Sequence, residues 1–264
     1  FAYTQDGALR MAGSVSDGSD SGVGNRLWRS EDEGKRWTRA GFIEKSFRYD
    51  RQGSMVKMGG NAALYADAAA EVILFTGNEM FWEAGCYEST KRKSRLYYRL
   101  SFDGGRTFTD KRYVVLPGRA PDAPIPDVVF GRNFALSMAS QTLRASDGAL
   151  LVALQCQMTD EGGGLIEPAG FHLLRSGVRR AAWNGKRLDY DWDMGDYVGV
   201  APEESTRGVF EPTFARLDGR RVLRVMRASN YKRERDLIGR KFYAVSEDDG
   251  RHWSAARPLD YDDG

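Results

Sequence analysis

Glu211 and Arg227 stand sixteen residues apart, on either side of the Asp218-Gly219 pair. Glu211 lies seven residues before Asp218 and Arg227 eight after Gly219. Asp-Gly between two apolar runs is a strong hairpin signal, so the two side chains are expected as cross-strand neighbours at the open end of that hairpin. A second carboxylate, Asp20, sits in the Gly/Ser-rich stretch Ser16-Asp17-Gly18-Ser19-Asp20-Ser21-Gly22 and is expected at the same end of its own repeat, with Asp17 as the close competitor. An acidic pair beside a cationic fork is a constellation for direct contact with a polar, charged ligand. Bland readings accompany each residue: a strand-start carboxylate for Glu211, an ion pair with a neighbouring repeat for Arg227, turn chemistry for Asp20.

Other chemistries are excluded by count. Two histidines, His172 in an apolar run and His252 beside Trp253, do not make a Ser–His–Asp relay or a zinc site, and both read as structural or exposed. Cys86 and Cys156 are too few for a disulfide framework. With 39 Lys+Arg against 37 Asp+Glu the net charge is +2, which argues against nucleic acid as a partner. No apolar run approaches the ~20 residues of a spanning helix, and no signal peptide is visible. Lys91-Arg92-Lys93 and Lys232–Arg235 read as solvated loop charge, and Gly162-Gly163-Gly164 lacks the continuation of a phosphate loop. An apolar content of 41% with 12% aromatics is enough to fill a core over 264 residues.

The elements that must position these residues are read from an internal repeat. Ser30-Glu31-Asp32-Glu33-Gly34-Lys35-Arg36-Trp37 reads S-x-D-x-G-x-x-W. Ser101–Phe108 and Ser246–Trp253 repeat it. The spacings are 101 − 30 = 71 and 246 − 101 = 145, so a further copy is due near residue 174, where Ser176 and Trp183 frame a degenerate version with Val178 for Asp and Arg180 for Gly. The Asp accepts bonds from nearby backbone N–H groups and the Gly permits positive φ, which makes a tight turn. Each copy follows a strand-like run, and Asp6-Gly7, Asp147-Gly148 and Asp218-Gly219 mark a second turn at the start of each repeat, with Tyr65-Ala66-Asp67 in that place in the second. Both turns fall at one end of the strands. The longer loops and linkers, Leu116–Asn133 and Trp192–Glu211, fall at the other. Four antiparallel strands every ~70 residues describe a propeller blade; a β-sandwich with coincidental turns is the alternative.

The motif is the Asp box, and the chain resembles the sialidase superfamily of six-bladed β-propellers. The expected fold class is therefore all-β, a sialidase-type propeller over residues 1–264, with about four blades at approximately 1–50, 51–120, 121–195 and 196–264. The run Phe210-Glu211-Pro212 through Leu217-Asp218-Gly219 to Arg227 is similar in detail to the sialidase pattern of Glu-Pro, L-x-D-G and a strand-ending Arg. The resemblance implies a retaining exo-α-sialidase that needs no cofactor or metal and acts on sialylated glycans or another carbohydrate. Glu211 would activate a tyrosine nucleophile, Asp20 would be the acid/base, and Arg227 would be one of three arginines gripping the sugar carboxylate. The family's first arginine, in a Phe/Tyr-Arg-Ile-Pro motif, is expected before Phe1; its third arginine and its tyrosine are expected after Gly264. The other readings are a non-catalytic propeller binding glycans or proteins, and a hydrolase for another acidic sugar. Secretion or a periplasmic location is implied by the resemblance alone. Asn78–Gly85, with Trp82 and Glu83, is expected as a loop on the site face, and Glu167-Pro168 as structural.

Overall fold

In a computed structural model, the chain is described over residues 2–4, 6–18, 21–45, 55–59, 63–83, 93–138, 140–231 and 239–260. It divides into two units, Phe1–Val114 and Val115–Gly264. Among the described residues no helix is long and apolar enough to cross a membrane.

The first unit holds two sheets. One runs β1 (Ala2–Tyr3), β2 (Leu9–Gly18), β3 (Ser21–Ser30) and β4 (Thr38–Lys45) in sequential antiparallel order. The other is built on β7 (Val72–Glu83), paired with β5 (Met55–Gly59), β6 (Ala63–Asp67) and β8 (Lys93–Ser101), with β9 (Arg112–Tyr113) outside β8. Leu27, Ile43, Ile73, Phe75 and Tyr97 are buried between them. The second unit repeats the plan. β12 (Leu150–Gln157) joins β10 (Ala135–Ser137), β11 (Leu143–Arg144) and β13 (Leu174–Asn184), with β14 (Asp189–Val198) at the edge. The last sheet is β15 (Val209–Arg216), β16 (Val222–Ala228), β17 (Lys241–Ser246) and β18 (Arg257–Pro258). Every residue of β12 is buried, as its unbroken Leu-Leu-Val-Ala-Leu run requires of a central strand.

The three S-x-D-x-G-x-x-aromatic turns close in the same way. Each Ser Oγ donates to the Asp carboxylate, at 2.9, 2.8 and 2.9 Å in the first, second and last copies. Each Ser Oγ also accepts from the Gly N–H at 2.8 Å. Gly105 and Gly250 show why the glycine is needed. Their φ values are +82° and +81°, and a Cβ on Gly105 would stand 2.9 Å from Arg10 Cδ. The residue after the glycine also does the same thing twice. Arg106 reaches Asp6 at 3.4 Å and Arg251 reaches Asp147 at 3.2 Å, so in each unit one sheet's Asp-Gly hairpin is tied to the next sheet's turn. Both turn types therefore share one end of the strands within each unit.

These turns have a pH signature. Burial opposes charge on Asp103 and Asp248, but hydrogen bonds outweigh it. Thr107, Ser101 and the Arg106 N–H pull Asp103 down to about 2, and His252 and Ser246 pull Asp248 to about 2. A carboxylate depressed from 3.8 adds stability that is complete above 3.8 and lost as pH falls toward 2. His252, raised by its bond to Asp248, works oppositely: its contribution is present at low pH and lost as pH rises through its folded pKa. Asp248→Asn is expected to cost about 1–2 kcal/mol near neutral pH and to flatten the fall in unfolding temperature between pH 4 and 2, measured by calorimetry across that range. An unchanged acid limb would sink this account.

Three expectations are corrected. Ser176–Trp183 is not a turn: it lies inside β13, and the chain reverses after Asn184, whose carbonyl accepts from Arg187 N at 3.1 Å. Without Asp and Gly at positions 178 and 180, the backbone finds no local acceptor and stays extended. Asn78–Glu83 belongs to β7 rather than to a loop. The irregular part of Trp192–Glu211 is only 199–208, because β14 and β15 claim its ends. Tyr65-Ala66-Asp67 does form a turn of the Asp-Gly kind, with Asp67 Oδ1 accepting from the N–H groups of Ala69 and Ala70 at 3.1 Å.

Candidate functional site

β15 and β16 pair from Arg216↔Val222 up to Thr213↔Val225, then slip, so that Phe210 opposes Arg227 and Val209 opposes Ala228. Glu211 sits in that irregularity with a left-handed φ of 49°. A bulge re-aims a side chain and leaves a backbone N–H outside the ladder. Here Gln155 Oε1, from the end of β12, accepts the Glu211 N–H at 2.9 Å. The strained backbone is held by a neighbouring sheet, and the carboxylate is turned toward β16.

There it meets Arg227. Nη1 donates to Oε2 at 3.0 Å and to Oε1 at 3.2 Å. The pair is open to solvent, Arg227 54% and Glu211 44% exposed. Among the described residues Arg227 is engaged through Nη1 alone. The Arg227 guanidinium also stands 5.1 Å from the centre of the Phe210 ring. Arg207 flanks the same ring at 5.0 Å and the Phe171 ring at 4.8 Å. Phe171 in turn stacks on Tyr231, 4.8 Å apart and 14° from parallel. An alternating row of aromatics and cations thus leads up to Glu211.

The 199–208 linker, which supplies Arg207 to this row, is held by hydrogen bonds. Buried Ser205 donates to the carbonyls of Gly208 and Ser229 at 2.9 Å. Thr206 N donates to Asn230 Oδ1 at 3.0 Å, and Tyr231 N to Thr206 Oγ1 at 2.9 Å. Gly208, at φ +67°, lies directly on the backbone of Leu174. A second polar group lies at the adjoining strand ends. Arg175 bonds Asp127 at 2.7 Å, lies 3.9 Å from the Tyr197 ring and donates to Cys156 Sγ at 3.3 Å. Burial pushes the Cys156 thiol up, so it stays protonated.

Of the three residues expected from the sequence, the structure brings Glu211 and Arg227 together. Asp20 lies outside the described residues, as do the side chains of Asp17, Trp82 and Glu83. His172 is buried against Phe134 and Phe171, and His252 is exposed on its turn, matching the structural reading of both. Gln155, Arg207, Phe171 and Tyr231 were not expected. The one signal for Gln155 was a pair of glutamines ending an otherwise apolar run; nothing local marked the others.

The profile of the BNR repeat-like domain matches residues 11–263. Comparison with characterised protein sequences gives no significant match. Among solved structures the chain is similar to the Hadza microbial sialidase Hz136, at TM-score 0.63 and 16% identity over 96% of this chain and 45% of that one. It is similar to the intramolecular trans-sialidase from Ruminococcus gnavus, at TM-score 0.61 and 13% identity over 98% and 69%. A polysaccharide lyase, the PL25 ulvan lyase bound to -[GlcA(1-4)Rha3S]-, follows at TM-score 0.52 and 15% identity over 97% and 54%. The chain thus spans less than half the length of the first of these. Likeness at such identities shows the fold, which is all-β and of the sialidase propeller type.

Proposed function

The chain belongs to the BNR repeat-like family, and from that membership we propose that the protein it forms is a glycoside hydrolase of exo-α-sialidase type, releasing terminal sialic acid from glycoconjugates with retention. The observation that carries this reading is the solvent-open Glu211–Arg227 pair at 3.0 Å, sixteen residues apart across an Asp-Gly hairpin, as in the sialidase pattern. Arg207 supports it as a second guanidinium beside Phe210.

In this reading the turns described above are Asp boxes that hold each blade's hairpins. The fork of Arg227 grips the sugar carboxylate, since two parallel N–H donors match two carboxylate oxygens in a way that an ammonium does not. Glu211 takes the proton of a tyrosine nucleophile supplied elsewhere in the protein. A neutral tyrosine suits an anionic sugar, because a carboxylate nucleophile would be repelled by the substrate's own charge. Asp20 protonates the leaving oxygen and then deprotonates water. No metal or other cofactor enters these steps.

The test uses the complete protein with an aryl α-sialoside, following the released sugar by proton NMR. The α-anomer as first product is expected. The β-anomer first would refute retention, and no release would favour a propeller that binds glycans without cleaving them. A second reading, an enzyme for another acidic sugar, is favoured by the likeness to the ulvan lyase; turnover of a uronic-acid polysaccharide in place of the sialoside would decide for it.

A further inference from the structure

Two local preferences oppose the conformation of Glu211. A non-glycine residue at φ 49° is strained. A residue that precedes proline, as Glu211 precedes Pro212, is biased toward extended backbone. The site depends on that unfavourable conformation. In a regular ladder that keeps Phe210 opposite Arg227, Glu211 would oppose the fully buried Met226 and share its face. Met226 and Arg227 are consecutive and point to opposite faces of β16. The left-handed turn at Glu211 is therefore what carries its carboxylate over to Arg227, where the two meet at 3.0 Å.

Such a residue persists only where its surroundings over-determine it. Here Gln155 Oε1 accepts the Glu211 N–H at 2.9 Å. Gln155 is itself a fixed point. Its backbone lies in β12, paired on one side with Leu136 of β10 and on the other with Ser176 of β13. Leu151, Ala153 and Gln155 alternate onto one face of that strand. This face is packed on the last sheet: a Cβ on Gly250 would stand 3.3 Å from Leu151 Cδ1, and Gln155 meets Glu211. Gln155 is 7% exposed, and β12 and β15 belong to the same unit.

We propose that Gln155 is a positioning residue: by holding the N–H of Glu211 it keeps that residue left-handed and its carboxylate on Arg227, and it acts on the chemistry through Glu211. The effect on turnover rests on the reading of Glu211 as the base. An error of about 1 Å in placing a reacting group is enough to cost roughly 10²-fold. The amide also suits the place by being neutral. A carboxylate at this position would accept the same N–H, yet it would set a second anion beside Glu211 and the anionic sugar.

Amide hydrogen exchange and sialoside kinetics of the complete protein test this together. Gln155→Met removes the acceptor at similar length. It is expected to speed exchange of the Glu211 N–H by roughly tenfold or more, and to move the coupling constant between that proton and the Glu211 Hα from its left-handed to its extended value. It should lower kcat by about 10²-fold with KM little changed, because Arg227 stays on β16. Gln155→Ser, too short to reach, should behave the same way. Gln155→Glu restores an acceptor oxygen and should return the exchange rate and most of kcat, with KM raised by the added anion. Each variant is assayed below its own unfolding temperature, so that a loss of stability alone leaves kcat unmoved. Fast exchange with wild-type kcat would reduce Gln155 to a packing residue. Unchanged exchange in Gln155→Met would detach it from Glu211, and equal losses in the Glu and Met variants would show that the acceptor is not what matters; each of these results overturns the proposal. If the wild-type protein turns over no sialoside, the reading of Glu211 as the base fails on its own, and the exchange rate and coupling constant still decide whether Gln155 sets this residue.

Discussion

Arg227→Ala in the complete protein is expected to lower kcat/KM for a sialoside by about 10²–10³-fold, roughly 3–4 kcal/mol. The loss arises because the substitution removes the fork and leaves Glu211 without its partner at 3.0 Å. Most of it should appear in KM, since the proposed grip on the sugar carboxylate exists in the ground state as well as in the transition state. Arg227→Lys should recover only part, because an ammonium lacks the paired donors. Glu211→Gln keeps the shape and an acceptor but removes the base. It should lower kcat by about 10²–10⁴-fold with little change in KM. This opposite split separates a clamp from a base. Both side chains are about half exposed, so neither substitution should shift stability by more than about 1 kcal/mol. Wild-type turnover in either variant would remove that residue from the proposed mechanism.

The second large effect is structural. Gly208→Ala places a Cβ 2.0 Å from Leu174 O and 3.0 Å from its N and C, on a backbone with φ +67°. Left-handed strain alone costs an alanine about 1 kcal/mol. Backbone on the far side cannot swing away as a side chain would, so the start of β15 must shift. We expect a loss of about 3–5 kcal/mol in urea unfolding. Gly219→Ala is the control. Its φ is +44° with no atom within 4 Å, so only the conformational cost of about 1 kcal/mol applies. Similar losses in the two variants would show that the seat on Leu174 does not matter. Because Gly208 stands three residues before Glu211, a stable Gly208→Ala variant should still lose activity in proportion to the displacement of that carboxylate.

The amino-acid sequence by itself determined the turns and, through them, the strand order. Ser, Asp and Gly at fixed offsets satisfy one another within eight residues, and such chemistry does not depend on what lies across the sheet. The 71-residue spacing then made the repeat legible, and the Asp218-Gly219 hairpin paired Glu211 with Arg227 because register propagates outward from a tight turn. Where local acceptors were missing, at Val178 and Arg180, the same reasoning placed a turn that packing replaced by continuous strand.

Only the tertiary structure decided the rest. The left-handed Glu211 depends on Gln155, fifty-six residues away, to receive its N–H. The aromatic and cationic row through Arg207 joins residues from three separate segments, and the Glu211 carboxylate meets Arg227 at a bulge between β15 and β16. A bulge has no fixed composition. It is the outcome of competition between ladder hydrogen bonds and side-chain burial on both faces of a sheet, and that balance exists only once the neighbouring strands are in place.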